Sequence, residues 1–281
     1  MNANSRPAAP VTLKTWLRQA AAQLQAAGIR SARLDSELLL TYVLQVDRPY
    51  LISHDDEPLS QPVLVQLQAL LERRLERVPL AYLTGYKEFY GHRFAVSPAT
   101  LVPRPETEVL VAMAVDAMTP GAAMLDIGTG SGCVAISVGL AMKGLIPAPI
   151  IRAIDVSEAA LAMARDNARA LGADVDFYLE DFRQHQGMQH DVVAANLPYV
   201  NPAWQNSPEL AHEPPEALYA DDDGLALINE LLAMTPALLR PGGQLLLEAD
   251  PRQLDRITEK ALESGLVLRQ RQGCVVHLAR P

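Results

Sequence analysis

The chain is short of several things, and each shortage removes a class of function. Its 281 residues include only two cysteines, Cys133 and Cys274. They form no CxxC pair and sit in apolar surroundings, so a disulfide framework or zinc ribbon is excluded and reduced core thiols are expected. No apolar run approaches the roughly 20 residues that span a bilayer. The segment Met1–Pro7 lacks a signal peptide's apolar region, so a cytoplasmic protein with no membrane partner is expected. No HExxH, nucleophile elbow or zinc spacing occurs. His185 and His190 flank a loop without ligand spacing and His92 stands alone, so no metal site is expected. Positive charge is scarce too. A formal net charge of −9 argues against a broad phosphate-tracking face, and no direct nucleic-acid contact is expected. The one arginine-dense stretch, Leu71–Arg77, is interleaved with glutamates and reads as a solvated helix face. Without an apolar heptad or evident interface segment, a monomer is expected.

What is present is ordinary globular material. Hydrophobic residues make up 49% and charged residues 20%, and the length suits two domains. From Thr12 to about Arg77 the pattern is helical. Trp16, Leu17, Ala20, Ala21 and Leu24 recur at helical spacing before a stop at Gly28. A second helix fits Ala32–Val46, burying Leu34, Leu38, Leu39 and Tyr42, and a third fits Pro62–Arg77.

Pro79 marks a change. The stretch to Val102 gathers Tyr82, Tyr86, Phe89, Tyr90 and Phe94, with Gly85 and Gly91 as turn points. It reads as a β-hairpin joining two domains, either a packed linker or one that also shapes a pocket. From Glu106 onward strands and helices alternate. Strands fit Ala123–Asp126, Ile150–Asp155, Val175–Leu179, Asp191–Ala195, Gln244–Glu248, Val267–Arg271 and Cys274–Leu278. Helices fit Thr107–Met118, Ser131–Met142, Ser157–Leu171, Gly224–Leu239 and Gln253–Ser264. The alternation predicts a parallel α/β sheet, doubly wound. Only Gln272-Gly273 separates the last two strands, so an antiparallel edge strand is expected.

Chemistry concentrates at the predicted strand ends. Gly128, Gly130 and Gly132, with Thr129 and Ser131 between them, join a strand to a helix. Such a loop turns tightly, lets a ligand approach backbone, and offers helix N–H groups. It is neither GxGxxG nor a P-loop. Asp155 closes the second strand where doubly wound folds place a ribose-binding acid. Asp126 ends the first strand, near the place of a cationic amino-acid moiety. Asp181-Phe182 follows the third and could cover an adenine. S-adenosylmethionine fits this set, and its lack of phosphate suits the lack of loop lysines.

Asn196-Leu197-Pro198-Tyr199 ends the fourth strand. A carboxamide nitrogen is a poor nucleophile because its lone pair is delocalised. Accepting hydrogen bonds from both its N–H groups favours localisation and aims the pair. Asn196 could accept one through its side-chain oxygen, and Leu197 the other through its backbone carbonyl. Pro198 would stiffen the turn, and Tyr199 would pack on the flat amide. Catalysis would then rest on positioning and preorganisation.

These motifs resemble the bacterial protein-glutamine N5-methyltransferases that act on peptide chain release factors, the HemK/PrmC family. The resemblance runs through Pro79–Gly85, Glu88–Gly91 and Leu101–Glu108. It continues through Asp126–Gly132, the Asn196 turn, Asp223–Leu225 and Pro241–Gly243. The Arg104–Glu108 run is its most family-specific part. The resemblance implies a doubly wound, seven-stranded class I methyltransferase (Rossmann-like) domain at 104–281. An all-α domain at 1–78, docking the release factor, and a β-hairpin linker at 79–103 would precede it. It implies the Gly-Gly-Gln glutamine of class I release factors as substrate. Asp126, Gly128–Gly132, Asp155, Asp181, Phe182 and Asn196 would contact the cofactor. Asn196–Tyr199, Arg104 and Glu106 would serve the substrate.

Two departures stand out. Leu197 replaces the family's usual proline, giving the form seen in enzymes that dimethylate ribosomal RNA adenines. The Leu247–Asp250 segment and the Arg271–Cys274 ending also deviate, and no role is carried over there. The alternatives are therefore an rRNA adenine N6-methyltransferase and an inactive methyltransferase-fold binding protein.

Overall fold

Local signals start and stop the helices where apolar spacing places them. The structure, a computed structural model, describes residues 10–281, in two compact units that meet between Thr84 and Gly85. In the first unit α1 (Leu13–Ala26) begins where the Thr12 hydroxyl accepts the Thr15 N–H at 3.3 Å. It is followed by α2 (Ala32–Leu44), α3 (Arg48–Ser53), α4 (Gln61–Leu75) and α5 (Leu80–Thr84). Asp47 caps the short α3, accepting the Tyr50 N–H at 3.0 Å. Leu13, Trp16, Leu24, Leu39, Leu40 and Leu67 form the core.

Two expectations fail here for one reason. Leu34 is 43% exposed, whereas its neighbour Asp35 is buried. The Asp35 carboxylate accepts the Nε–H of Arg74 at 2.7 Å, and both side chains are almost wholly enclosed. Arg74 therefore lies inside the unit, not on a solvated face. Apolar spacing alone placed Leu34 inward; a buried charge needs its partner, and the pairing sets the face α2 presents.

The second unit opens with the hairpin β1 (Tyr86–Phe89) and β2 (His92–Ala95), then α6 (Thr107–Ala117). Next come β3 (Ala123–Ile127), α7 (Cys133–Ala141), β4 (Ile150–Asp155), α8 (Glu158–Leu171), β5 (Asp176–Leu179) and β6 (His190–Ala195). A distorted turn α9 (Asp221–Gly224) leads to α10 (Ala226–Leu238), β7 (Leu239–Glu248), α11 (Leu254–Glu263), β8 (Val267–Gln272) and β9 (Val275–Ala279). The seven-stranded sheet has the order β5-β4-β3-β6-β7-β9-β8. Every residue of β3 is buried, as a central strand covered on both faces requires. The strands from β3 to β7 are parallel, with apolar clusters on either side of the sheet.

The antiparallel strand is not at the edge. β9 lies between β7 and β8 and pairs antiparallel with both. The crossover through α11 carries β8 two strand spacings beyond β7, and the hairpin folds β9 back into the gap. The β1–β2 hairpin packs into the same unit, with Phe89 and Phe94 edge to face at a centroid distance of 6.0 Å. Asn167 on α8 ties it down, accepting the Ala95 N–H at 2.8 Å and donating to the Ala95 carbonyl at 3.0 Å and the Ser131 carbonyl at 2.9 Å. Strand order reverses between β3 and β6, and a doubly wound sheet opens a crevice at that point, outside its strands' carboxyl ends.

Candidate active site

A cavity occupies that crevice. Its walls include Asp126, Gly128–Ser131, Asp155, Asp181, Phe182 and Asn196–Pro198, with Ala99–Leu101, Pro103 and Arg104 from the segment after the hairpin. The glycine loop is held mostly by the protein itself. Gly128 and Thr129 donate to the Ile154 carbonyl at 2.9 and 3.1 Å, and Gly132 donates to Thr129 at 2.8 Å. Gly130 donates to Asp155 Oδ2 at 2.9 Å, while Ser157 N–H takes Asp155 Oδ1 at 2.9 Å. Asp155 thus fixes the loop and keeps lone pairs on both oxygens for a ligand. Gly132 shows why glycine is needed here. Its φ is +81°, and a Cβ would lie 2.7 Å from Ile136 Cδ1 and 3.3 Å from the Ala164 backbone.

Burial dominates the electrostatics. It raises Asp126 to about 6, although the Thr129 hydroxyl at 2.7 Å and the Ala135 N–H at 3.3 Å both donate to Oδ2. Burial likewise lifts Asp155 above the usual carboxylate range. Asp181 moves the other way, because the Arg183 guanidinium binds it at 2.6 Å. Both arginines on the wall are committed. Arg183 serves Asp181, and Arg104 donates to Glu213 Oε1 at 2.6 Å. Glu213 Oε2 also accepts the Val102 N–H at 3.0 Å, clasping the loop after β6 to the segment before α6. A cavity rich in carboxylates, with its arginines already paired, suits a cationic, phosphate-free ligand. Ser131 Oγ adds a buried hydroxyl with no hydrogen-bonding nitrogen or oxygen among the described residues.

The Asn196 turn is braced from behind. Asn196 Nδ2 donates to Thr107 Oγ1 at 3.2 Å. Leu197 is 4% exposed, and its side chain joins the core and faces Gly128. The Tyr199 hydroxyl lies 3.4 Å from Glu248 Oε1, and burial raises both groups, Glu248 to about 7. Gln253 Nε2 donates to the Tyr199 carbonyl at 3.0 Å and the Asp223 carbonyl at 2.7 Å. Gly224, at φ +82°, runs against that Tyr199 carbonyl so closely that any Cβ would overlap it. The Asp223-Gly224-Leu225 motif is thus the back wall of the turn.

Of the residues singled out from sequence, Asp126, Gly128–Ser131, Asp155, Asp181, Phe182, Asn196–Pro198 and Arg104 share the cavity wall. Gly132 lies behind the loop, Glu106 is exposed at the head of α6, and Tyr199 is turned onto Glu248, so these three are not on the wall. Cys133 and Cys274 are half-buried and in no disulfide, and Cys133 lines the cavity. Thr107, Glu213, Glu248 and Gln253 were missed. For Glu248 a signal existed: it ends a predicted strand as Asp155 does.

The PrmC N-terminal domain family matches residues 15–85, and the methyltransferase small domain family matches residues 106–214. A release factor glutamine methyltransferase of Deinococcus radiodurans is 37% identical over 257 residues, covering 90% of this chain and 91% of that protein. The chain belongs to the release factor glutamine methyltransferase family. A member from Xylella fastidiosa is 38% identical, covering 81% of this chain and 83% of its own. The fold is shared with a Pyrococcus furiosus methyltransferase structure at a TM-score of 0.50, 20% identical, covering 75% of this chain and 95% of that one. The protein is accordingly an S-adenosylmethionine-dependent methyltransferase with a class I methyltransferase sheet. The carboxylate-lined cavity and the Ser131 hydroxyl suit that cofactor.

Proposed function

We propose that the protein methylates the side-chain amide nitrogen (N5) of the glutamine in the Gly-Gly-Gln loop of class I peptide chain release factors. One observation carries the reading. Asn196 lies on the wall of the cavity that Asp155 and the glycine loop also line, and its amide nitrogen is tied to Thr107. Its oxygen is therefore left as an acceptor for a substrate N–H. The Leu197 carbonyl has no partner among the described residues and offers a second acceptor. Because the Leu197 side chain is buried, leucine in place of proline leaves that carbonyl in service.

The bound cofactor supplies an electrophilic methyl group on a sulfonium. Asp155 and Phe182 would hold its adenosine, and Asp126 with the loop through Ser131 would serve its amino-acid end. Asn196 and Leu197 would take the two amide N–H groups, positioning the nitrogen with its lone pair free. Pro198 stiffens the turn, and Tyr199 keeps it in place. Arg104 and Glu106 stand on the substrate side, and the helical unit docks the body of the release factor. The protein works as a monomer in the cytoplasm.

Replacing Asn196 by alanine tests this. Methyl transfer to a release factor should vanish while the variant keeps its fold. Transfer at the wild-type rate would refute the amide grip.

A further inference from the structure

The two ends of an asparagine amide have the same shape, so its neighbours decide which end points where. Behind Asn196 stand two acceptors, the Thr107 hydroxyl and the Glu248 carboxylate. Glu248 is fully buried at the carboxyl end of β7, in register beside the end of β6. Among the described residues its Oε2 has no hydrogen-bond partner of good geometry, while the Tyr199 hydroxyl lies 3.4 Å from Oε1 and the Thr107 and Asn196 side chains adjoin the carboxylate. The groups facing it are Thr107 from α6 and Glu106 before it, Asn196 and Tyr199 from the β6 turn, Cys274 before β9 and Cys133 on α7. Arg104, which acts on the Tyr199 hydroxyl, is committed to Glu213, so Glu248 has no cation of its own among the described residues. An enclosed carboxylate without a cation is costly to fold around, and neighbouring carboxylates increase that cost.

We propose that Glu248 is a positioning residue, whose carboxylate, with the Thr107 hydroxyl, holds the Asn196 amide nitrogen inward so that Oδ1 faces the cavity as the acceptor for the substrate amide. The proposal rests on the glutamine reading above. Its consequence is a polarity switch. An ionised Glu248 only accepts, and it repels Oδ1. A protonated Glu248 donates, so the amide can rotate and present its NH2 to the cavity. Two donors then meet, and the substrate grip fails. Burial raises Glu248 to about 7, which puts the switch near neutrality.

The test is Glu248→Gln, which keeps shape and removes charge. The kcat for release-factor methylation should fall on the order of 10- to 100-fold, with KM changed much less. The wild-type loss of kcat below neutral pH should flatten in the variant. A substrate-free readout accompanies this: the side-chain NH2 resonances of Asn196, assigned by their loss in Asn196→Ala. They should shift with pH around neutrality in the wild type and stay fixed in Glu248→Gln. Wild-type kcat and an unchanged acid limb in Glu248→Gln would overturn the proposal. So would Asn196 resonances that ignore pH in the wild type, a measurement needing neither the variant nor a substrate. If the wild type fails to methylate any release factor, the glutamine reading falls, and the resonances still decide the role of Glu248.

Discussion

The side-chain amide of Gln253 donates to the backbone carbonyl of Tyr199 at 3.0 Å. A residue from the start of the last helix thereby fixes the turn that faces the cavity. The same nitrogen reaches the Asp223 carbonyl at 2.7 Å, and the Gln253 oxygen accepts the Asp250 N–H at 3.1 Å. One buried amide joins three separate loops.

Gln253→Ala should therefore cost more than one hydrogen bond. It strands two carbonyls in a poorly hydrated place, a loss of about 1–3 kcal/mol. Denaturant unfolding should show that loss, and kcat should fall with the slackened turn while cofactor affinity holds. A variant as stable and as active as the wild type would remove Gln253 from this account.

Arg104 and Glu213 form the second brace. Arg104→Ala leaves the Glu213 carboxylate enclosed with the Val102 N–H as its remaining partner among the described residues. Because Arg104 is itself about one-third exposed, the expected cost is modest, about 1–3 kcal/mol. Limited proteolysis should then cut the loop 200–213 faster than in the wild type. Unchanged cleavage would mean that the clasp is not what holds it.

Asp126 gives a pH signature in the cofactor-free protein. Burial raises it to about 6 when folded, against about 3.9 in an unfolded chain. Between those values the folded state binds more protons than the unfolded state, so stability falls as pH rises through the window. Asp126→Asn escapes this charge penalty. Its stability relative to wild type should improve from pH ~4 to pH ~7 by on the order of 2 kcal/mol. Unfolding curves at the two pH values check it, and a difference independent of pH would contradict the burial argument.

The sheet was legible because each strand is a short apolar run between turn residues, and the predicted Ile150–Asp155 matches β4 to the residue. Asp155 and Asn196 were legible because a polar residue closing such a run is a local signal. The insertion of β9 was not, since Gln272-Gly273 announces a hairpin without saying which arm lies outside. The Asp35–Arg74 pair spans 39 positions and Arg104–Glu213 spans 109, distances over which apolar spacing carries no information. Gln253 escaped for a different reason: its Nε2 bonds to backbone carbonyls, which leave no mark on the residue types around it.

The central claim is methyl transfer to a protein glutamine. Its most direct test offers labelled S-adenosylmethionine to the full chain with a class I release factor and ribosomal RNA together, followed by fragment mass spectrometry of the labelled product. The account predicts one methyl group on the side-chain nitrogen of the Gly-Gly-Gln glutamine and no label in RNA. Label on RNA adenine, or on any other residue of the release factor, would contradict it.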